Sequence, residues 1–296
     1  MSMTTIHDIG YRHYDGPRLG RGFAVRSLYT NSLRGVFGLG RPGRSKVLPF
    51  GLFALMCAPA LISVAVRLAV AKLAPGTPPI NLFPYRAYVF DLQAISAIFV
   101  AAQSPQMMSR DLRFHVMPLY LSRPLGRADY VFAKLAAMSS ALFILLGTPL
   151  LLLYIGALLA KLNAWDQFTE FIPALGGVVV YALVLAAFGL CVAALTPRRG
   201  FGVAAIIALY LISYGAVTIM QGVLVNNTYD TPAGYVGLLS PYTLVEGFQT
   251  WALRQEHTGI GYVETGAGGA VFAAGVVAAL GIAVGILAVR YRKVSA

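Results

Sequence analysis

Hydrophobic residues run along this chain in long unbroken blocks, with polar residues confined to the stretches between them. Six blocks, at about residues 48–70, 85–103, 130–159, 173–195, 201–225 and 267–289, approach or exceed the ~20 residues an α-helix needs to cross ~30 Å of hydrocarbon. They are apolar all round, unlike the alternation over ~10 residues of a membrane β-strand. The pattern predicts an all-α membrane protein of six transmembrane helices. Residues 1–47 form an N-terminal tail and surface helix, and residues 48–296 form the membrane domain.

Three segments outside the blocks have patterns of their own. In 25–37, Val25, Leu28, Tyr29, Leu33, Val36 and Phe37 recur at helical spacing, with Arg26, Thr30, Asn31 and Arg34 opposite. This predicts a basic amphipathic helix lying in the membrane interface, ended by Gly38, Gly40, Pro42 and Gly43. Segment 104–129 interleaves Arg110, Asp111, Arg113 and Arg123 with Met107, Met108, Leu112, Phe114, Leu119 and Tyr120. Ser109 offers a helix start and Pro118 an interruption. Such a mixture suits a docking surface for a soluble partner, or packing against the ends of the chain's own helices. In 226–266, Ser240-Pro241 is a helix-start pair. It is followed by an apolar face of Leu244, Phe248, Trp251 and Ala252, with Glu246, Gln249, Thr250 and Arg254 opposite. A short amphipathic helix, re-entrant or at the outer interface, is expected there.

Composition agrees with lipid as the main solvent. Only 11% of residues are charged and 58% are hydrophobic, against about 25% charged in soluble domains. The net charge of +12 could suggest nucleic acid, but the bases flank the blocks. Seventeen of the 23 fall in the N-terminal segment, the second and fourth connections and the C-terminal tail, and five on the other face. That bias predicts cytoplasmic termini in a multi-pass protein of the bacterial plasma (inner) membrane. The excess of arginine over lysine points to a GC-rich genome. Cys57 and Cys191 lie inside apolar blocks and read as small buried residues.

Chemistry motifs are few. No G-x-x-x-x-G-K-[ST], H-E-x-x-H or G-x-S-x-G string occurs. The chain is therefore expected to be no enzyme and to hold no metal or cofactor. His7 and His13 with Asp8 and Asp15 read as a polar tail. The blocks contain Arg67, Asp91 and Lys134, all near block ends and none a midplane carboxylate relay, which disfavours a self-powered carrier. Arg67 and Asp91 fall at similar depth on consecutive spans and are expected to form an ion pair. Ala274, Ala278, Gly281 and Gly285 form a small-residue stripe suited to close helix packing. Tyr181, Tyr210, Ser213 and Tyr214 are the few polar groups in the spans, a lining that suits an apolar or amphipathic cargo.

Ser109-Arg110-Asp111, then Pro118-Leu119-Tyr120-Leu121-Ser122-Arg123-Pro124, then Asp129-Tyr130 and Lys134 make up a string. It resembles the D…P-x-x-R…Y…K string with which permease subunits of type-2 ABC transporters, the mostly exporting group, enter their third span. The stretch 11–22, YRHYDGPRLGRG, is similar to N-termini of such permeases from high-GC bacteria. The resemblance implies a second permease, the same or a sister chain, and two cytoplasmic ATPase subunits that bind ATP and Mg. Loop 104–129 would then be a coupling helix whose Arg110, Asp111, Arg113, Phe114 and Arg123 meet the ATPase. The surface helix would be an elbow helix, and substrate would pass between the permeases. The competing readings are a membrane-embedded lipid-modifying enzyme and a non-transporting scaffold subunit. The enzyme would gather Asp, Glu, His or Lys at one face, whereas the central loop holds only Asp111 and Asp129.

Overall fold

The computed structural model describes residue 16 and residues 19–73, 82–114, 116–122, 124–196, 198–254 and 266–292. These residues are helical throughout, without a strand. In chain order the helices are α1 (Arg21–Val36), α2 (Arg44–Leu73), α3 (Tyr85–Asp91), α4 (Gln93–Met107), α5 (Ser109–Arg113) and α6 (Met117–Leu121). They continue with α7 (Arg127–Leu159), α8 (Ala164–Leu195), α9 (Arg199–Ile207), α10 (Ser213–Asn226), α11 (Asp230–Val236), α12 (Pro241–Ala252) and α13 (Ala270–Arg292). A π-helical turn, Ala208–Ile212, joins α9 to α10 without a break.

Five stretches are long and apolar enough to cross a membrane: α2, α7, α8, Gly200–Asn226 and α13. Helix α3 and the stretch Gln93–Arg113, which takes in α4 and α5, pass the same test together, but are bent by 54° at the break between them. The second apolar block is therefore a broken helix, where its pattern predicts a straight one. Hydroxyls of Ser96 and Tyr242 both donate to the Gln93 carbonyl, just past the break.

Two span starts lie earlier than their apolar blocks. The first begins at Arg44, with Pro49 near its start and Pro59 inside it. The fourth begins at Ala164, because Asn163 accepts from the Trp165 amide and caps the helix there. Pro173 sits inside α8 and does not start it. A proline marks a lost donor; a capping side chain upstream decides where the turn begins.

Helix α7 is the centre of the bundle, packed on α8, α2 and α1. Close approach depends on glycine at two crossings. A Cβ at Gly156 would come within 2.2 Å of Val64 on α2, and one at Gly189 of α8 within 2.2 Å of Val100 on α4. Helix α1 lays Leu28, Ser32 and Val36 inward, with Tyr29 and Leu33 half-buried beside them.

Helix α12 is enclosed more fully than its pattern suggests. Glu246, Gln249 and Thr250, expected on a polar outer face, are buried along with Leu244 and Val245. The helix is wedged between α8 and α13. Gln249 lies over Gly177, and the Phe272 ring lies where a Cβ on Gly247 would stand.

Substituting Gly189→Leu should lower stability by about 1–3 kcal/mol or more, the cost of overpacking a closed contact. Gly176→Leu, on the same helix but facing open space, should leave it unchanged. Thermal unfolding of the purified chain in detergent compares the two.

Candidate functional site

The bases of the N-terminal segment, of loop 104–129 and of the C-terminal tail converge at one end of the bundle. Arg127 of α7 donates to the Arg292 carbonyl of α13 at 3.1 Å, and Arg41 donates to Gln106 of α4 at 3.1 Å. Arg21 of α1 makes a two-pronged contact with Asp129 of α7, at 2.8 and 2.7 Å. Asp129 also accepts from the Gly126 amide, which closes the first turn of α7. The bond to Asp129 holds the Arg21 guanidinium above its ordinary value.

Within this arginine-rich end, Asp111 is the fixed point. It is buried, 2.9 Å from the Lys134 ammonium. The Tyr130 hydroxyl donates to the same carboxylate oxygen at 2.8 Å, and the ammonium also lies 5.3 Å from the Tyr130 ring centroid. Tyr130 packs in turn against Tyr120 of α6 and Tyr291 of α13. Burial pushes the Tyr120 hydroxyl above its ordinary value, and the Asp111 carboxylate adds to the rise. Ser109 donates to the Ala193 carbonyl of α8 at 2.6 Å. Its hydroxyl thus ties α5 to α8 and caps no helix; Met108 occupies the cap position of α5.

The predicted coupling residues divide into two groups. Arg110, Arg113 and Phe114 are exposed, Phe114 by 64%, and Arg113 lies over the Phe114 ring at 5.7 Å. Leu119 on α6 is 69% exposed beside them. Asp111 instead points inward and anchors the loop, so it presents no surface to a partner. Arg123 lies outside the described residues, as do His7, His13, Asp8 and Asp15 and most of the stretch 11–22.

The other predicted sites come out as follows. Arg67 is buried near the opposite end of α2, while Asp91 is exposed. No ion pair joins them among the described residues. The bend at Leu92 reorients the second span there, and equal depth on straight helices was the basis for pairing them. Ala274, Ala278, Gly281 and Gly285 all face outward, and no neighbour lies within 4 Å of a Cβ built at Gly281 or Gly285. The buried face of α13 is Phe272, Val276, Ala283, Leu287 and Tyr291. Tyr181 and Tyr210 are buried, Tyr181 beside the Ser96 hydroxyl and Tyr210 donating to the Leu185 carbonyl. These two hydroxyls knit helices together.

The Asp111–Lys134 contact is absent from the expectations above, although its elements were visible. One carboxylate in a loop of arginines and one lysine inside an apolar block each need a partner. Replacing Asp111 by Asn or Lys134 by Met alone should lower stability by about 3–5 kcal/mol, the cost of leaving a buried charge uncompensated. The double variant should recover part of that loss in thermal unfolding. A double variant as unstable as the sum of the singles would remove the pair as a determinant of the fold.

A family model for ABC-2 family transporter proteins matches residues 92–293, from the break in the second span through α13. No curated protein matches the chain. With most of its length inside that match and its helices apolar enough to span lipid, the chain belongs to the ABC-2 transporter family and is a multi-pass membrane permease of that type.

Proposed function

We propose that the chain is the permease subunit of an ATP-driven exporter, working with a second permease and two cytoplasmic ATPase subunits. ATP and Mg belong to the ATPase, since this chain has no phosphate-cradling string of its own. Both termini and the arginine-rich end face the cytoplasm of a bacterial inner membrane, in keeping with the distribution of bases.

The observation that carries the reading is the exposed surface of α5 and α6. Arg110, Arg113, Phe114 and Leu119 stand out from a base that Asp111, Lys134 and Tyr130 hold rigid. A coupling element has to transmit force in both directions, so it needs an exposed contact face on a firm mount. Arginine beside an exposed aromatic is also the chemistry enriched at interface centres. The second permease is supported by the outward stripe Ala274, Ala278, Gly281 and Gly285 of α13, whose small side chains suit close packing of another helix. An apolar or amphipathic substrate suits a passage between such faces.

Charge reversal at Arg110 and Arg113 together with Phe114→Asp should reduce recovery of the ATPase on copurification by more than about tenfold. The permease itself should keep its yield and melting temperature, because all three side chains are exposed. Undiminished recovery of the ATPase would overturn the assignment of this face.

A further inference from the structure

Two adjoining cavities lie at the arginine-rich end, and their chemistry differs sharply. The first is polar, about 100 Å³, and lies between α1, α4, α5 and α7. Arg41, Arg110, Lys134 and Asp111 contribute to its wall, three cations against one carboxylate. Gln103 also lines it. That side chain is only 3% exposed. Its amide can offer a donor and an acceptor to a polar group in that space. Ser32, 7% exposed, lines the same space.

The second cavity is an apolar groove of about 530 Å³ between α1 and α6. Leu19, Phe23 and Leu28 form one wall; Val116, Leu119 and Leu125 form the other. Asn31 and Tyr120 line both spaces, so the groove runs into the polar cavity. Helix α1 turns Arg26 and Arg34 outward and lies along the first half of α7, from the Arg21–Asp129 contact to Tyr29 beside Ser140.

We propose that the two cavities together bind one anionic phospholipid. Its phosphate sits in the polar cavity, accepting from the Gln103 amide and from the arginines, and an acyl chain occupies the groove. The net positive lining selects an anion, and a basic pocket between helices at the membrane surface is where an acidic headgroup resides. The groove selects a lipid over free phosphate, because every methylene buried there adds to retention. The occupant would brace α1 against α6 from outside, beside the ion pair that braces α5 from inside. The inference stands on the cavities alone and does not require the ATPase contact proposed above.

The full chain, purified in neutral detergent, is titrated with phosphatidylglycerol, phosphatidylcholine or inorganic phosphate, and bound lipid is counted by native mass spectrometry. Phosphatidylglycerol should be retained as a single molecule, about tenfold more tightly than phosphatidylcholine, the ratio expected from one or two hydrogen bonds to a charged group. Gln103→Leu and Arg110→Gln should each remove that preference. Ser27→Trp, which fills the groove from an exposed position without touching the polar cavity, should lower retention of phosphatidylglycerol. Arg110 is exposed, so its variant answers the question even if Gln103→Leu fails to fold. Equal retention of the two lipids would overturn the proposal. So would retention untouched by Ser27→Trp, or displacement of phosphatidylglycerol by inorganic phosphate at equal concentration.

Discussion

The contact between Asp111 and Lys134 governs the arrangement of everything at the arginine-rich end. Lys134 lies about two turns inside α7, where an ammonium without a counter-charge is costly. Only a carboxylate brought back over the end of α7 satisfies it, and Asp111 is the acid that loop 104–129 sends there. That requirement folds the loop onto the bundle. Once Asp111 faces inward on a short helix, Arg110 and Arg113 on either side of it turn outward, and Phe114 follows them. The exposed face is thus a geometric consequence of the buried one. Tyr130 and Tyr291 complete the mount, with the Tyr291 hydroxyl 3.0 Å from the Met108 sulfur, so α5, α7 and α13 meet at a single aromatic cluster.

The opposite half of the bundle follows a different constraint, the need to satisfy backbone groups where helices are interrupted in lipid. The second span breaks at Leu92 and the fifth carries a π-helical turn around Tyr210. Both irregularities face α12. Tyr242 at the start of α12 reaches the Gln93 carbonyl, and its ring packs against Tyr181, Tyr210 and Tyr214. Helix α12 fills the space that the irregular spans leave, and its polar side chains are buried for that reason.

What the sequence made legible and what it concealed divide along the same physical line. Apolar blocks locate the spans because length in lipid is a one-dimensional constraint. The starts of the first and fourth drifted because Arg44–Leu48 and Ala164–Ile172 are helical without being uniformly apolar. The mixture of arginine and apolar residues sets loop 104–129 apart from a plain solvated connection, and Arg110, Arg113 and Phe114 do stand at the surface. The opposite orientations of Arg110 and Asp111 were concealed, since neighbours on a short helix share composition and differ only in direction. The pairing of Arg67 with Asp91 depended on straight helices. Spacing puts Ala274, Ala278, Gly281 and Gly285 on one stripe, but which face of α13 turns inward is decided by Phe272, Leu287 and Tyr291 finding partners on other elements.

That outward stripe bears on assembly. Lipid covers an apolar helix as well as another helix does, so low burial of α13 by itself argues for nothing. Small residues change the balance. A face of alanine and glycine leaves a shallow channel along the helix that flexible acyl chains fill poorly and a second helix fills well. The groove beside it, about 540 Å³ and lined by Leu209, Leu244, Ala274 and Ala278, widens the same channel toward the fifth span. Bulky side chains at Val277, Ile282 and Ile286 flank the stripe and face outward, as ridges beside a groove. A partner helix seated there would gain dispersion contacts that lipid does not match, and it would do so without any change in the buried face of α13. The same helix can therefore serve the bundle through Phe272 and Leu287 while Gly281 and Gly285 stay open to another helix, with neither contact competing for the other's side chains.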